Sequence, residues 1–406
     1  MTYSLENWRS AEPALTPQIR LLLLLSRMTL SEEQVDRARE LCGQIDDWPA
    51  FARAASLHFV APLCLHHFSR LDNLPGSDEA RAALRAVCRQ MMMQTLAQAA
   101  VQRHFMEHVV LPLAVPHAAI KGRALAARYY PDPSLRFCRD FDILLPVSAI
   151  PEAIMSAQKV GYRTDLSDRV IPSGEATVLA RNKRVVKLFG KDNILIEVHA
   201  WLDKAGFLFD EKAILARAEQ AKVDEVPTGM PSTADQFVFI CLHHTKHFWS
   251  RLSWLADLDA MISAPDFDRD AVMRLARERG LDRTVSTCLD FHAACASPDP
   301  WRTLPDDAPA RDLLRVCLIN LSGGPETEFR LRPDRLSMDF NFSWQIPDGF
   351  RRRQKWRSLR TLFQPNIMDF RTLALPRRLY WLYYPLKPAL YLARRSGMRS
   401  VQEAVQ

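Results

Sequence analysis

The stretch from His117 to Pro146 constrains this chain more than any other, because it places two strands, a glycine turn and two carboxylates in one order. The apolar residues 116–120 predict a short strand that ends at the pair Lys121-Gly122. Residues 123–130 predict a helix up to the turn sequence PDPS, and residues 139–145 predict a second strand. The acidic residues therefore lie at the start of the second strand.

Asp140 and Asp142 share one face of this strand, because side chains alternate between the two faces. Their Cα atoms should lie about 6.6 Å apart, twice the ~3.3 Å rise per residue, so both carboxylates can reach metal ions ~3.5–4 Å apart. Two carboxylates this close repel each other unless a cation neutralises them. A D-x-D sequence also occurs by chance at solvated strand edges, but here it leads into the apolar run ILLP. We expect it to bind metal.

A third carboxylate is expected from the segment ILIEVHAW, where Glu197 and His199 share one face of a strand. If this strand lies beside residues 139–145, Glu197 lies next to Asp140 and Asp142. Three carboxylates are a set that can hold two Mg²⁺ ions for phosphoryl or nucleotidyl transfer. Taken alone, Glu197 is more typical of a solvent-facing strand position, but as the third member of this ordered set it is the favoured candidate for the third carboxylate.

Cations for a phosphate are expected at the turn before the first predicted helix. A helix start offers backbone N–H groups and the positive end of a dipole, and Lys121 beside Gly122 adds a point charge. Arg123 follows directly. Arg136 and Arg139 flank the D-x-D sequence and either neutralise it, contact phosphate or form ordinary ion pairs.

A predicted helix at residues 233–249 carries a second set of cations. His243, Lys246 and His247, with Arg251 just beyond, are spaced so that they stay near one face. We expect this helix to close the nucleotide cleft and offer these cations to a triphosphate, while its apolar face packs. The sequence H-H-x-x-H lacks the glutamate of the H-E-x-x-H zinc signature, so zinc is not expected.

These residues resemble the nucleotidyltransferase superfamily, and within it a poorly characterised bacterial group of nucleotidyltransferase family proteins. The resemblance covers most of residues 30–320 and rests on the ordered motifs KG, YYPDPSLRFCRDFDILLP and IEVHAW, with helical segments on either side. By position, Asp140 and Asp142 correspond to the metal-binding D-x-D, and Glu197 corresponds to the third carboxylate. Lys121-Gly122 stands at the turn that is Gly-Ser in the wider superfamily.

The resemblance implies an α+β fold, in which a small mixed-sheet nucleotidyltransferase core is flanked by helical regions. It also implies Mg²⁺, with two ions at the site, and a nucleoside triphosphate as substrate. It does not imply an acceptor, so a small molecule, a glycan and a peptide all stay open.

The organisation along the chain follows from the periodicity. Four parts are expected: a helical region at 1–112, the α/β core at 113–205, a second helical region at 206–325 and a basic, aromatic tail at 326–406. Within the core, further strands are predicted at 176–180, 184–189 and 194–200.

Composition narrows the partners and the compartment. The 406-residue chain has a formal net charge of +7, and a balance of this sign favours nucleotide phosphate, nucleic acid or an acidic membrane surface. No base-reading motif is evident, so sequence-specific nucleic-acid binding is not expected. Eight cysteines without a C-x-x-C pair are typical of reduced thiols. Because neither a signal-peptide pattern nor an apolar run of ~18 residues is present, we expect a cytoplasmic protein.

The tail segment WLYYPLKPALYLARR interleaves aromatic and basic residues, as membrane-surface segments do. The favoured expectation is instead that Trp381, Tyr384 and Tyr391 cover apolar surface of the helical regions, because two prolines interrupt an amphipathic helix there. A weak membrane-surface contact through the basic tail stays open beside this packing role.

Three functions remain in competition. The leading interpretation is a Mg²⁺-dependent nucleotidyltransferase that moves NMP from an NTP to a hydroxyl or similar group of an unknown acceptor. A phosphotransferase on the same fold would attack the γ rather than the α phosphorus and release NDP instead of PPi. A catalytically inactive nucleotide-binding or scaffold protein is the third, and the Lys-Gly pair in place of Gly-Ser keeps it open.

Overall fold

The computed structural model describes residues 12–71, 73–164, 170–203, 206, 208–323, 327, 356 and 363–403. These residues form two units. The first unit holds the described residues of 1–97, 121–139 and 232–347, and the second holds those of 98–120, 140–231 and 348–406. The core expected at 113–205 therefore contributes residues 121–139 to the first unit and its strands to the second.

Helices open the first unit. They are α1 (Pro17–Leu24), α2 (Glu32–Cys42), α3 (Trp48–Leu57), α4 (Ala61–Arg70) and α5 (Ser77–Phe105), of which residues 98–105 count with the second unit. Ser31 and Gln34 cap α2, because each side chain accepts a hydrogen bond from the other residue's backbone N–H. α3 and α4 separate at Phe59, whose φ of 61° leaves the right-handed helical region.

A five-stranded mixed sheet organises the second unit. Its strands are β1 (Ala118–Ala119), β2 (Asp140–Leu144), β3 (Arg163–Thr164), β4 (Val185–Phe189) and β5 (Leu195–His199), in the spatial order β1-β2-β5-β4-β3. β2 and β5 run parallel, and the other neighbouring pairs are antiparallel. The strands predicted at 139–145, 184–189 and 194–200 are confirmed. With helices around it, this sheet confirms the α+β class.

The strand predicted at 176–180 is wrong, because this segment is helical. Four helices connect the strands and follow them: α6 (Arg123–Tyr129), α7 (Ile150–Lys159), α8 (Ser173–Asn182) and α9 (Glu211–Ala216). Ala176, Leu179 and Ala180 are buried at helical spacing where α8 packs on α7. The strand preference of Thr177 and Val178 is a weak one, and this packing overrides it.

A hairpin that was not predicted follows α9. β6 (Glu219–Val223) and β7 (Val226–Met230) form a separate two-stranded antiparallel sheet. Its sequence contains Glu219, Lys222, Pro227 and Gly229, residue types that are depleted in strands.

Helices return in the first unit after residue 232. They are α10 (Thr233–Lys246), α11 (Leu252–Ile262), α12 (Arg269–Glu278), α13 (Asp282–Ala294), α14 (Pro300–Thr303) and α15 (Pro309–Ser322). The helix predicted at 233–249 ends at Lys246 instead, because the buried Phe248 and Trp249 adopt φ of 57° and 49°. Arg251 therefore lies beyond the helix, immediately before α11.

The described C-terminal segment belongs to the second unit. It contains α16 (Ile367–Thr372), a 3₁₀ turn at Arg377–Leu382 and α17 (Tyr383–Glu403). α17 continues through Pro385 and Pro388, so the expectation that prolines interrupt a helix here is wrong. Pro385 lies in the first turn, where a backbone N–H has no partner within the helix, and Pro388 removes a single helical hydrogen bond. None of the described helices is both long and apolar enough to cross a membrane.

Candidate active site

The parallel pairing of β2 with β5 brings the predicted acidic residues together. Asp142 pairs with Glu197, and Leu144 pairs with His199. Paired residues on adjacent strands point to the same side of the sheet, and residues two apart share that side. Asp140, Asp142, Glu197 and His199 therefore lie on one face, as the period of two predicted.

Asp142, Glu197 and His199 form the tightest group on this face. Each offers one ligand atom, and the three atoms lie within 4.8 Å of one another. His199 Nε2 is 2.8 Å from Asp142 Oδ1 and 3.7 Å from Glu197 Oε2. Asp142 and His199 are each 1% exposed, whereas the Glu197 side chain is 17% exposed. Asp142 is buried because β2 lies inside the sheet, between β1 and β5.

Asp140 stands at the outer end of β2 and is half-buried. Its side chain is not one of the three that converge, although it shares their face. Its backbone carbonyl accepts a hydrogen bond from the Gln98 amide at 2.5 Å, which ties the start of β2 to α5.

The donor types of this group suit a divalent cation. Oxygens bound to one Mg²⁺ ion at about 2.1 Å lie at most about 4.2 Å apart. Small side-chain rotations would therefore bring the ligand atoms of this group to distances that suit one ion. An ionised carboxylate only accepts hydrogen bonds, so in the contact with Asp142 the His199 Nε2 atom carries the hydrogen. The carboxylates are thus placed to hold an ion, and His199 is placed to orient Asp142 from outside, as is common around metal sites.

Two basic side chains balance the negative charge of this face. Lys187, opposite Glu197 on β4, places its Nζ atom 3.6 Å from Glu197 Oε1. Arg184 precedes β4 and donates to the Leu202 carbonyl at 3.1 Å. Burial lowers the pKa of Arg184, and the carboxylates of Glu197, Asp203 and Asp142 oppose that shift. The like-charge repulsion expected from the sequence is therefore relieved in part by the protein itself.

In the first unit, the predicted turn and the predicted cationic helix meet. Gly122 adopts φ 67° and ψ −126°, a conformation that essentially only glycine tolerates, immediately before α6. Lys121 Nζ lies 3.5 Å from His243 Nε2 of α10. The His243 ring packs on the His247 ring with centroids 4.7 Å apart. Lys121, His243, Lys246 and His247 are all half-buried, and we refer to them as the cationic group.

The pKa of His244 reflects both its burial and the positive charges around it. Burial, followed by the charges of Lys121, Arg136 and His247, holds the pKa of His244 well below its usual value. Its ring is therefore neutral and stacks on Trp254, with centroids 4.8 Å apart and planes 5° apart. The 3.9 Å approach of His244 to Asp257 is accordingly not an ion pair.

The two arginines that flank the D-x-D sequence have different roles. Arg136 is buried and forms a two-pronged ion pair with Asp257, at 2.8 Å for both nitrogens. Tyr130 donates to the same carboxylate at 2.8 Å, so Arg136 holds the loop before β2 to α11. Arg139 is exposed and lies over the ring of Phe59, 4.6 Å from its centroid.

His199, Lys187 and Arg184 were not among the predicted site residues. The signal for His199 was present, because it follows Glu197 by two positions on the same strand face and histidine often supports metal sites. Lys187 and Arg184 could not be assigned without the antiparallel register of β4 against β5, which determines which basic residue stands opposite Glu197.

Comparison with known proteins identifies the family of this chain. A comparison with functionally curated proteins gives no match to the chain. A family model described as "uncharacterised nucleotidyltransferase" matches residues 45–296, which is more than half of the chain and contains the carboxylate strands and the cationic group. The chain therefore belongs to this family of uncharacterised nucleotidyltransferases.

Proposed function

We propose that the protein is a Mg²⁺-dependent enzyme that transfers NMP from a nucleoside triphosphate to a hydroxyl or similar group of an acceptor. The observation that carries this proposal is the convergence of Asp142, Glu197 and His199 on the parallel strands β2 and β5 of a family member. Carboxylates held close together on one face of a sheet repel each other, so their convergence does not stabilise the fold. It is explained by a cation that offsets the repulsion.

The carboxylates would hold the metal. Asp142 and Glu197 supply the oxygen atoms that already converge, and Asp140, two residues along the same face, is assigned to the second of two ions. Bound Mg²⁺ would supply Lewis-acid polarisation of the phosphate oxygens and neutralise their charge. Oxygen ligands of this kind are those that a hard cation prefers.

His199 and Lys187 would tune this site without contacting the substrate. His199 keeps its proton at Nε2 and holds the Asp142 carboxylate in one orientation. Lys187 neutralises Glu197 when no cation is present, and its half-exposed side chain is free to turn toward solvent once a cation takes its place.

Phosphate binding is assigned to residues of the first unit, namely the turn residue Gly122 and the basic residues Lys121, Arg123, Arg139, Lys246 and His247. The support is the contact of Lys121 with His243, together with the charges of Lys121, Arg136 and His247, which add to the effect of burial in lowering the pKa of His244. The Lys121 ammonium can only donate in this contact, so His243 Nε2 accepts, and the positive charges of Lys121 and Lys246 favour an anion. α6 has only seven residues, so we assign the phosphate to these side chains and to the Gly122 turn rather than to a helix dipole.

The acceptor would be a small molecule, a glycan or a peptide. A cytoplasmic location is part of the proposal, because all eight cysteines are free thiols and seven of them are buried.

Nucleotide binding and product analysis test this proposal together. Titration calorimetry with a non-hydrolysable NTP should show binding that requires Mg²⁺ and is lost in Glu197→Gln. Glu225→Gln is the matched control. Glu225 is likewise paired with a lysine, Lys222 at 3.8 Å, but it lies on the exposed turn of the β6–β7 hairpin. The control should bind as the parent does.

The released product then identifies the reaction. Release of PPi from the NTP, in the presence of candidate acceptors, supports NMP transfer. Release of NDP would instead indicate a phosphotransferase. Mg²⁺-independent nucleotide binding, or none, would leave an inactive scaffold as the function and overturn the proposal.

A further inference from the structure

The positive charge of this protein is concentrated at its C-terminal end. Residues 351–406 contain 13 Lys and Arg but only two Asp and Glu, whereas residues 1–350 contain 41 Lys and Arg and 45 Asp and Glu. The net charge of +7 therefore arises entirely in the last 56 residues. A polyanionic partner is the expected counterpart of such a segment.

The inner side of the described C-terminal segment is firmly anchored on the second unit. Asp369 of α16 is fully buried and accepts hydrogen bonds from Lys387 at 2.6 Å and Arg394 at 2.7 Å. Phe370, Tyr383 and Leu390 form a buried cluster. These contacts determine which side of α17 faces outward.

α8 is the surface on which this segment rests. Val178 packs against the buried cluster, and Asn182 donates to the Tyr384 hydroxyl at 2.8 Å. A Cβ atom at Gly174 would lie only 3.3 Å from Arg377 Cδ and from Tyr380 Cε2. Glycine at this position therefore permits the close approach of the 3₁₀ turn to α8.

The outer side of the same segment exposes large apolar side chains. Trp381 is 63% exposed, Tyr391 52% and Leu392 64%, and Leu379 and Tyr384 are also exposed. The expectation that Trp381, Tyr384 and Tyr391 cover apolar surface is therefore wrong, since Phe370, Tyr383 and Leu390 fill that role. Tyr384, Tyr391 and Leu392 are seven and eight residues apart, which places them on one side of α17. The exposed Arg377 and Arg378 precede Trp381 in the 3₁₀ turn.

We propose that this outer surface, formed by Leu379, Trp381, Tyr384, Tyr391 and Leu392 with Arg377 and Arg378, binds the surface of a membrane that contains anionic lipid. Tryptophan and tyrosine side chains favour the headgroup level of a bilayer, and leucine side chains enter the acyl boundary beneath it. Arginine side chains meet the lipid phosphates, each worth roughly a fivefold gain in binding near an anionic surface.

The aliphatic residues favour a lipid surface over nucleic acid. Nucleic-acid sites combine basic residues with aromatic rings on which bases stack. Exposed leucines contribute nothing to phosphate contacts or base stacking, whereas burial of their surface stabilises a lipid-bound state. Exposed Leu379 and Leu392 therefore favour an anionic lipid surface over nucleic acid as the partner.

Flotation with lipid vesicles tests this inference on the full chain. We expect the protein to float with vesicles of phosphatidylcholine and phosphatidylglycerol at about 7:3, and not with pure phosphatidylcholine. Raising the salt concentration to about 0.5 M should release it, since exposed charges are then screened within a few ångström. Arg377→Glu/Arg378→Glu should weaken binding by roughly 25-fold or more, and Trp381→Ser/Leu392→Ser should abolish detectable flotation.

A matched control comes from α5, in a different part of the chain. Met93 and Leu96 of α5 are 69% and 60% exposed, so Met93→Ser/Leu96→Ser removes a similar apolar area elsewhere and should leave flotation unchanged. All variants should melt within a few degrees of the parent, because the buried residues Asp369, Phe370, Tyr383 and Leu390 are untouched.

Three results would overturn the inference. The first is equal flotation of the parent and the Trp381→Ser/Leu392→Ser variant. The second is binding of the parent to RNA but not to anionic vesicles. The third is a dimer that light scattering detects in the parent and not in that variant, with no vesicle binding by either protein.

Discussion

In the second unit, negative charge is concentrated by two paired strands, whereas in the first unit positive charge is gathered from segments far apart in sequence. Asp142 and Glu197 meet because β2 and β5 pair in one register. Lys121 and His243 meet, 122 residues apart, only because α10 packs where the Gly122 turn ends. The difference shows that a short-range pattern can define a set of metal ligands, while a phosphate-binding set depends on helix packing.

The surroundings of the two groups are recorded by different neighbours. The carboxylates have Lys187 and Arg184 beside them, so we expect metal removal to leave the second unit folded. In the first unit, burial and then the charges of Lys121, Arg136 and His247 lower the pKa of His244.

Substitution of the carboxylates should have the largest effect on turnover. Asp142→Asn should reduce transfer on the order of a thousandfold, because a ligand to the cation contributes several kcal/mol to stabilising transition-state charge. The melting temperature should change by only a few degrees, since asparagine keeps the volume and can still accept the hydrogen bond from His199. Turnover measured over a Mg²⁺ series checks this, and normal turnover at saturating Mg²⁺ would rule out the metal role of Asp142.

The cationic group should give the next largest effect. Lys246→Ala and His247→Ala should each lower turnover about a hundredfold, as loss of one donor to developing charge does elsewhere, because they would no longer stabilise the leaving PPi. Lys222→Ala, which removes an exposed lysine of the β6–β7 hairpin, is the control. If both variants match the parent in nucleotide binding and turnover, α10 has only a structural role.

His199 should give an intermediate effect that separates positioning from direct ligation. His199→Leu removes the donor to Asp142 and should weaken Mg²⁺ binding roughly tenfold to a hundredfold by titration calorimetry. His199→Gln retains an N–H near the Nε2 position and should recover most of that affinity. Equal losses in both variants would indicate that the imidazole is itself a ligand.

The smallest effect should be on stability, which should depend on pH in opposite directions through one residue of each unit. Burial raises the pKa of Glu211 in the second unit from 4.5 to about 7, so its contribution to stability is full below about 4.5 and is lost as the pH rises toward 7. Burial lowers the pKa of His58 in the first unit from 6.5 to about 4, so stability is lost as the pH falls through that range. The two ranges overlap, so the variants should change the slope of melting temperature against pH with opposite signs: Glu211→Gln should remove a fall of a few degrees with rising pH, and His58→Gln should remove a rise of a few degrees.

Calorimetric melting at pH 4.5, 5.5, 6.5 and 7.5 would measure both slopes. Glu211→Gln keeps an oxygen that can accept the hydrogen bond from the Leu202 N–H, at 3.0 Å in the parent, so a change in slope reports the charge alone. Unchanged slopes in both variants would show that other groups set the pH dependence.

Much of the fold followed from local pattern. The capping box at Ser31, the turn at Gly122 and the strands that carry Asp142 and Glu197 are all determined by signals within a few residues of each position. The segment 176–180 was assigned incorrectly because its β-branched residues favour a strand, while the burial of its apolar face against α7 requires a helix. Local preference is worth only about 1 kcal/mol across residue types, so packing decides such segments.

The sequence by itself determined which residues can share a strand face, because the period of two depends only on backbone geometry. That was enough to place Asp140 and Asp142 together and to pair Glu197 with His199 on the next strand. Only the tertiary structure decided that β2 and β5 lie parallel with Asp142 opposite Glu197, that Lys187 stands across from Glu197, and that Arg136 is committed to Asp257. Strand register, helix packing and buried ion pairs depend on contacts between residues distant in the chain, and no local pattern encodes them.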